Sequence, residues 1–182
     1  MSEIKLFIAT TIDGFIAREN GSLDWLNEIP NPENLDYGYG DFLAGIDVLI
    51  MGRKTYEEIL GFGIEWPYDN CTSFVVTSET NYQTKTANTV IINNLDKQHI
   101  DRIRLSSKEN IWIVGGGQLI TEFINNNLID EMTLSLIPTI LGKGIRLFPN
   151  RPKETKFDLV NTESFDTGVV NLTYKRIKNQ EQ

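Results

Sequence analysis

"IWIVGGGQLITEF", residues 111–123, predicts a strand, a glycine turn and a helix in succession. The residues before the glycines are β-branched or aromatic, as in a buried strand, and the apolar residues after them recur at helical spacing. Because Gly115, Gly116 and Gly117 carry no Cβ, a ligand can approach this backbone closely. The free N–H groups and the positive dipole end of the helix favour an anion such as phosphate. On this stretch alone, the alternative is a tight connection that binds nothing.

Apolar runs of strand character recur along the chain and alternate with helical patterns. Strands are predicted over 4–9, 47–51, 73–77, 89–92, 111–114, 132–137, 156–165 and 169–177, and helices around 38–45, 55–60, 96–106 and 117–127. This alternation predicts an α/β fold with three α/β/α layers and a mostly parallel mixed sheet. Asp-Thr-Gly between the last two strands predicts a C-terminal antiparallel hairpin. One domain is expected over 1–178, followed by a short tail, 179–182.

The composition restricts the classes of function. With 182 residues, of which 40% are hydrophobic and 23% charged, the chain has the make-up of a single globular domain. A net charge of −8 argues against nucleic acid as a partner, although a local basic cluster can still hold a phosphorylated cofactor. One cysteine, Cys71, and one histidine, His99, give no support for a metal site or a Cys–His hydrolase. The lone cysteine fits a reducing compartment and the N-terminal apolar run is too short for a membrane span, so a cytoplasmic location is expected.

A second strand-to-helix turn lies in "DVLIMGRKTYEEIL", residues 47–60. Arg53 and Lys54 follow its glycine at the predicted start of a helix, where cations oppose the helix dipole unless an anion joins them. This placement predicts a phosphate site. The alternative is a well-capped helix without a ligand, because Thr55 followed by Glu58 matches a capping box.

A third strand ends in hydroxyl side chains, in "FVVTSET", residues 74–80. Thr77 and Ser78 can donate to phosphate oxygens, although Ser78 alone also suits an ordinary turn. The ends of neighbouring strands in an open α/β sheet line one crevice, where ligands bind. Together with Arg53 and Lys54, these hydroxyls suit NADP, with its 2′-phosphate, better than the acidic ribose anchor of an NAD site.

The segments "MGRKTYE" (51–57), "VVTS" (75–78) and "IVGGGQLI" (113–120) resemble the dihydrofolate reductase-like superfamily in order and spacing. "IATTIDGFIARENGSLDW" (8–25) is similar to the first strand and mobile active-site loop of that superfamily. "IDEMTLSLIPTILGKGIRLFP" (129–149) most resembles the reductase domain of the riboflavin-biosynthesis deaminase/reductase. The resemblance implies an NADPH-dependent oxidoreductase that acts on a pteridine-like or ribosylaminopyrimidine-like small molecule.

The same resemblance implies where the cofactor lies. Ala9 and Ile16 would line the nicotinamide site. Phosphates would be held by Gly52, Arg53, Lys54 and Thr55, the adenosine 2′-phosphate would lie near Thr77 and Ser78, and further cofactor contacts would come from Gly115, Gly116, Gly117, Gln118 and Leu119. The peptide bond between the first two of these glycines is expected to be cis and to lie beside the cofactor.

Two carboxylates are candidates for a catalytic role. Asp13 matches an acid common to both branches of the superfamily, and a turn-forming Asp-Gly pair is its alternative role. Asp36 falls where folate reductases carry the acid that supports protonation of the substrate, with Asp41 as the alternative position. A solvated surface acid is the other interpretation of both. The proton donor would then be Asp36, Asp41 or an ordered water.

The substrate half of the resemblance depends on fewer residues. Trp25 and Ser135 are expected on the substrate side. Ile120 stands where folate reductases usually carry an aromatic residue, and Val114 stands where riboflavin reductases usually carry Glu. These departures leave open a second function, that of a non-catalytic NADP(H)-binding module.

A homodimer is expected from the segment "TLSLIPTILGKGIRLF", residues 133–148. It is strongly apolar for a region near the edge of the sheet, and large exposed apolar patches mark interfaces. Riboflavin-type relatives pair through this part of the fold, whereas a folate-reductase-like monomer would bury the same residues in its core.

Overall fold

The computed structural model describes residues 2–177 and arranges them around one eight-stranded sheet. The strands are β1 Ile4–Thr11, β2 Phe15–Ala17, β3 Ile46–Gly52, β4 Thr72–Val76, β5 Thr89–Ile92, β6 Asn110–Gly115, β7 Glu131–Ile137, β8 Ile145–Arg146, β9 Phe157–Ser164 and β10 Val170–Arg176. The helices are α1 Asp24–Asn27, α2 Tyr39–Ala44, α3 Arg53–Leu60, α4 Lys97–Ser106 and α5 Gly117–Asn125. The large sheet has the order β5-β4-β3-β6-β1-β7-β10-β9, and β2 pairs separately with β8.

The strand pairing confirms the mostly parallel mixed sheet. Strands β5, β4, β3, β6, β1 and β7 pair in parallel along the sheet. Strand β10 is antiparallel to both β7 and β9, so the C-terminal hairpin is also confirmed. The predicted tail, 179–182, lies outside the described residues.

Helices cover both faces of the sheet because the central strands carry apolar side chains on both. Val48 and Ile50 of β3 point into a core shared with α4 and α5. Leu49 and Met51 point the other way, into a second core shared with α2 and α3. This alternation along one strand is what a parallel strand buried on both faces requires. The three predicted layers are therefore present.

The structure differs from the sequence prediction in very short strands and at the ends of helices. Strands β2 and β8 have three and two residues, too few for a period to be recognised. Helix α5 stops before 127, because Asn127 takes a left-handed backbone with φ 54°. Over residues 2–177, none of the helices is both long and apolar enough to cross a bilayer.

Candidate active site

The three predicted turns lie side by side at one edge of the sheet. In the pairing of β3 with β4, Gly52 lies opposite Val76, and in the pairing of β3 with β6, Met51 lies opposite Gly115. The carboxyl ends of β4, β3 and β6 therefore open onto the same edge, where α/β sheets bind their ligands.

The N-termini of α3 and α5 meet at this edge. Gly52 is the N-cap of α3 and Gly116 is the N-cap of α5, both with extended backbone, and no described side chain caps either helix. A Cβ added to Gly52 would lie only 3.9 Å from the Gly115 carbonyl oxygen and the Gly116 nitrogen. The two helix starts thus lie close together and present their backbone N–H groups at one place. This arrangement suits a bridging di-anion such as a pyrophosphate.

Thr55 lies beside the glycine turn. A Cβ added to Gly116 would lie 3.4 Å from the Thr55 hydroxyl oxygen, and one added to Gly115 would lie 3.5 Å from it. The capping-box interpretation of Thr55 and Glu58 is wrong, because α3 begins at residue 53 behind its glycine N-cap, which puts Thr55 inside the first turn. The peptide bond between Gly115 and Gly116 is cis, as the resemblance implied.

Arg53 is held by two carboxylates at the start of α3. Its Nη1 donates to both oxygens of Glu57 at 2.9 Å, and its Nη2 lies 3.0 Å from an oxygen of Glu79. The guanidinium carbon also lies 5.8 Å from the ring centre of Tyr82. Lys54 is exposed beside it. Of these partners, Glu57 could have been found by its i,i+4 spacing from Arg53.

The turn after β4 is fixed by side-chain hydrogen bonds. Thr77 is buried, and its hydroxyl accepts a hydrogen bond from the Glu79 N–H at 3.1 Å. The Asn93 amide donates to the carbonyl oxygens of Thr77 and Glu79 at 3.1 and 3.0 Å. Ser78, between them, is exposed and able to meet a ligand.

The first turn of α5 divides between core and solvent. Gly117 and Leu119 are buried, and the Leu119 side chain belongs to the main core, which is the core that the sheet shares with α4 and α5. Gln118 is exposed between them. Gly117 and Leu119 can therefore offer a ligand only their backbone, whereas Gln118 can also offer its amide.

Asp13 holds two loops together. Its carboxylate accepts hydrogen bonds from the Thr11 hydroxyl at 2.6 Å, the Gly142 N–H at 2.7 Å and the Leu141 N–H at 3.2 Å. The bond from Thr11 is the main cause that lowers the pKa of Asp13 below its ordinary value. Both oxygens of Asp13 are engaged in these bonds. Asp13 therefore fits the structural alternative, in which it stabilises its own turn and also the loop of residues 141 and 142, better than it fits a catalytic role.

Asp36 organises the start of α2. Its two oxygens accept hydrogen bonds from the N–H groups of Gly38 and Gly40, each at 2.9 Å. These two bonds, with that from Gly40 the larger cause, lower the pKa of Asp36. An exposed carboxylate with a lowered pKa is ionised at neutral pH, so Asp36 is poorly suited to donate a proton. The alternative position, Asp41, is an exposed residue of α2.

A short polar row, formed by Ser135 of β7 and Asn171 of β10, lies next to Ala9 of β1 near the candidate site. Ala9, Ser135 and Asn171 are paired side by side in the sheet. The Ser135 hydroxyl donates to the Asn171 side-chain oxygen at 2.7 Å, and the Asn171 amide donates to the Tyr37 carbonyl oxygen at 2.7 Å. Asn171 was missed by the sequence prediction, although a polar residue at an inward position of an alternating strand is the signal for it.

Trp25 and Ile16 occupy separate cores. Trp25 is 1% exposed and packs with Ile137 and Val169, and Ala9 packs against this cluster. The indole Nε1 of Trp25 has no hydrogen-bond partner among residues 2–177. Ile16 packs instead against the main core. Trp25 is therefore buried against Ala9 rather than offering an open surface to a substrate.

The chain is similar to known proteins over nearly its whole length. A family model described as the RibD C-terminal domain matches residues 3–171. YwjB of Bacillus subtilis is 38% identical over 165 residues, which cover 90% of this chain and 92% of that protein. The crystal structure of a Shewanella sp. PV-4 protein named for riboflavin biosynthesis superposes with a TM-score of 0.85 at 31% identity, covering 98% of this chain and 100% of that one. Dihydrofolate reductase from Enterococcus faecalis, complexed with NADP(H), superposes with a TM-score of 0.67 at 21% identity over 97% of each chain, and confirms the predicted dihydrofolate reductase-like fold.

Proposed function

The chain belongs to the RibD C-terminal domain family, and from this membership we propose that it is a reductase that uses NADPH to reduce a small pteridine-like or ribosylaminopyrimidine-like substrate. The observation that carries the proposal is the pair of glycine-capped helix N-termini at Gly52 and Gly116, which meet beside the hydroxyl of Thr55. Backbone N–H groups arranged in this way bind phosphates without a dedicated basic side chain.

The remaining predicted cofactor residues fit the same proposal. Ser78 follows β4, one strand further out than the start of α3, where the adenosine half of a dinucleotide would extend from a pyrophosphate held by the helix starts. Arg53, the first residue of α3, reaches toward the same turn through its ion pair with Glu79. Ala9 lies in the opposite direction along the sheet edge, beside the polar row. When bound, NADPH supplies the hydride. The chain would hold the two phosphates, orient the nicotinamide toward β1 and exclude water with the loops that Asp13 joins.

The substrate would lie over the row of Ala9, Ser135 and Asn171. Ser135 and Asn171 are each 5% exposed, and their hydroxyl and amide are bonded to each other and to the Tyr37 carbonyl oxygen. The row therefore offers a substrate an uncharged surface, which suits a neutral heterocycle. Because Asp36 is kept ionised by its backbone hydrogen bonds, we infer that the proton comes from water rather than from this carboxylate.

Turnover and binding measured on the same preparation test the proposed function. NADPH should bind, and its absorbance should fall when the right pteridine or ribosylaminopyrimidine is added from a panel of both classes. Binding of NADPH without turnover of any member of the panel would favour the non-catalytic module. A protein that binds neither NADPH nor NADH would contradict both functions.

We also propose that the protein forms a homodimer. The predicted segment, 133–148, includes most of β7, which is the third strand from the sheet edge. Leu134 of β7 pairs with Leu172 of β10, and Tyr174 of β10 pairs with Leu159 of the edge strand β9. Leu134 and Tyr174 are half-buried against the core shared with α4 and α5, Leu172 is half-buried, and Leu159 is 54% exposed. An apolar sheet surface of this kind is a suitable contact for a second copy.

Leu159→Lys should convert the dimer to a monomer, because a buried ammonium without a partner is costly at an interface. Light scattering at micromolar concentration should give twice the chain mass of 20.7 kDa for the natural protein and the single mass for the variant. Leu105→Lys, the same change at an 84% exposed position on α4, is the control and should remain dimeric. A natural protein that already has the single mass would reject the dimer.

A further inference from the structure

The carboxylate of Glu79 lies beside Arg53, the arginine that the sequence analysis predicts to bind a phosphate. Its carboxylate lies 3.0 Å from Nη2 of Arg53, while Nη1 of the same guanidinium is occupied by both oxygens of Glu57. One cation thus lies between two carboxylates at the start of α3. A phosphate that approaches Arg53 must either displace Glu79 or remain beside it.

The backbone of Glu79 is positioned by the turn after β4, and its side chain, 55% exposed, reaches Arg53 from there. Its N–H donates to the buried hydroxyl of Thr77, and its carbonyl oxygen accepts from the Asn93 amide. Asn93 also holds the carbonyl oxygen of Thr77, so both ends of the turn are tied to one side chain. The Tyr82 N–H donates to the Glu79 carbonyl oxygen at 3.4 Å, and its ring centre lies 5.8 Å from the guanidinium carbon. These contacts fix the backbone from which the carboxylate reaches Arg53.

Glu79 and Arg53 have opposite preferences for the ribose of a dinucleotide. In nucleotide sites of α/β sheets, an acid near the end of the neighbouring strand accepts hydrogen bonds from the ribose hydroxyls of NAD, whereas an arginine accommodates the 2′-phosphate of NADP. Here the acid follows β4, the arginine follows the neighbouring strand β3, and the two are bonded to each other. A nucleotide with a free 2′-hydroxyl leaves this pair intact, but a 2′-phosphate competes with Glu79 for Arg53 and is repelled by it.

We propose that Glu79 is a specificity-determining residue, which weakens the preference of the site for NADPH and lets it bind NADH as well. This inference depends on the proposed dinucleotide site between α3 and α5. Removing the charge at 79 lessens the competition for Arg53, which favours the 2′-phosphate, and at the same time replaces a charged acceptor for the ribose hydroxyls of NADH by a weaker, neutral one.

Glu79→Gln tests this inference, because the amide keeps the size of the side chain and removes its charge. Dissociation constants for NADPH and NADH are measured by titration calorimetry. NADPH should bind about tenfold tighter to the variant than to the natural protein, because Arg53 no longer divides its charge-assisted hydrogen bonds between the 2′-phosphate and a carboxylate at 79. NADH binding should stay the same or weaken. Glu79→Ala should shift the ratio of the two constants in the same direction.

Glu163→Gln is the matched control. Glu163 is an exposed residue of the edge strand β9, so this change removes the same unit of charge far from Arg53 and should leave the ratio unchanged. Equal shifts in the two variants would mean that net charge alone is responsible, and would overturn the inference. An unchanged ratio in Glu79→Gln, in a protein that binds both nucleotides, would also overturn it while the proposed function stands. If the natural protein binds neither nucleotide, the proposed function fails and this inference fails with it.

Discussion

Gly117→Ala is expected to destabilise the protein by roughly 3 kcal/mol, which is large for the addition of one methyl group. A Cβ at position 117 would overlap the carbonyl oxygen of Arg146 and would lie 3.0 Å from Pro149 Cδ and 3.1 Å from the Leu147 carbonyl oxygen. Backbone atoms cannot rotate away as a side chain can. The midpoint of urea unfolding should therefore fall well below that of the natural protein.

The segment against Gly117 has little freedom to move. Leu147 is 4% exposed, and its N–H donates to the Gly14 carbonyl oxygen at 3.0 Å. Arg146 belongs to β8, which pairs with β2. Gly45→Ala is the control: a Cβ there would lie 3.7 Å from the nearest atom, the Phe42 carbonyl oxygen, so stability should hardly change. Natural stability in Gly117→Ala would mean that the segment 145–149 yields more easily than its contacts indicate.

The strands and long helices could be predicted because their burial imposes a period on the sequence. Val48 to Met51 alternate between two cores, so this strand is apolar throughout, and α5 carries its apolar residues on one face. Strands β2 and β8 depend instead on pairing with each other across the chain. A contact between residues 15 and 146 leaves no local pattern in either segment.

The sequence could predict where the turns of the candidate site lie, but only some of the contacts that its side chains make. Glycine turns after strands have a local signature, and parallel strands bring their ends together, so the region of 52, 77 and 115 could be inferred. The partners of charged side chains could not. Asp13 bonds residues 141 and 142, and Arg53 bonds Glu79, which are distant in sequence. The sequence prediction gave Asp13 a catalytic role and gave Glu79 none. The contacts that decide what these two acids do are made only in the folded chain.

Gly116→Ala is expected to weaken NADPH binding by roughly a hundredfold or more, while the protein remains folded. The added Cβ would lie between the starts of α3 and α5, 3.4 Å from the Thr55 hydroxyl oxygen. A phosphate oxygen needs to come within about 2.9 Å of a backbone nitrogen to accept its hydrogen bond, and a methyl group at this point keeps it away. Two charge-assisted bonds lost in this way account for the expected factor.

The same variant should keep most of its stability, which separates it from Gly117→Ala. Its only close neighbour among the described residues is the Thr55 side chain, at a distance that a small rotation relieves, whereas position 117 faces backbone. Gly116→Ala should therefore lose NADPH affinity and lose less stability than the neighbours of position 117 predict for Gly117→Ala, with Gly45→Ala close to the natural protein in calorimetric titration and in urea unfolding. Natural NADPH affinity in Gly116→Ala would refute the placement of phosphate between the two helix starts. A loss of stability without a loss of affinity would assign the glycine to the turn alone, because the methyl group would then be felt by the fold and not by the ligand.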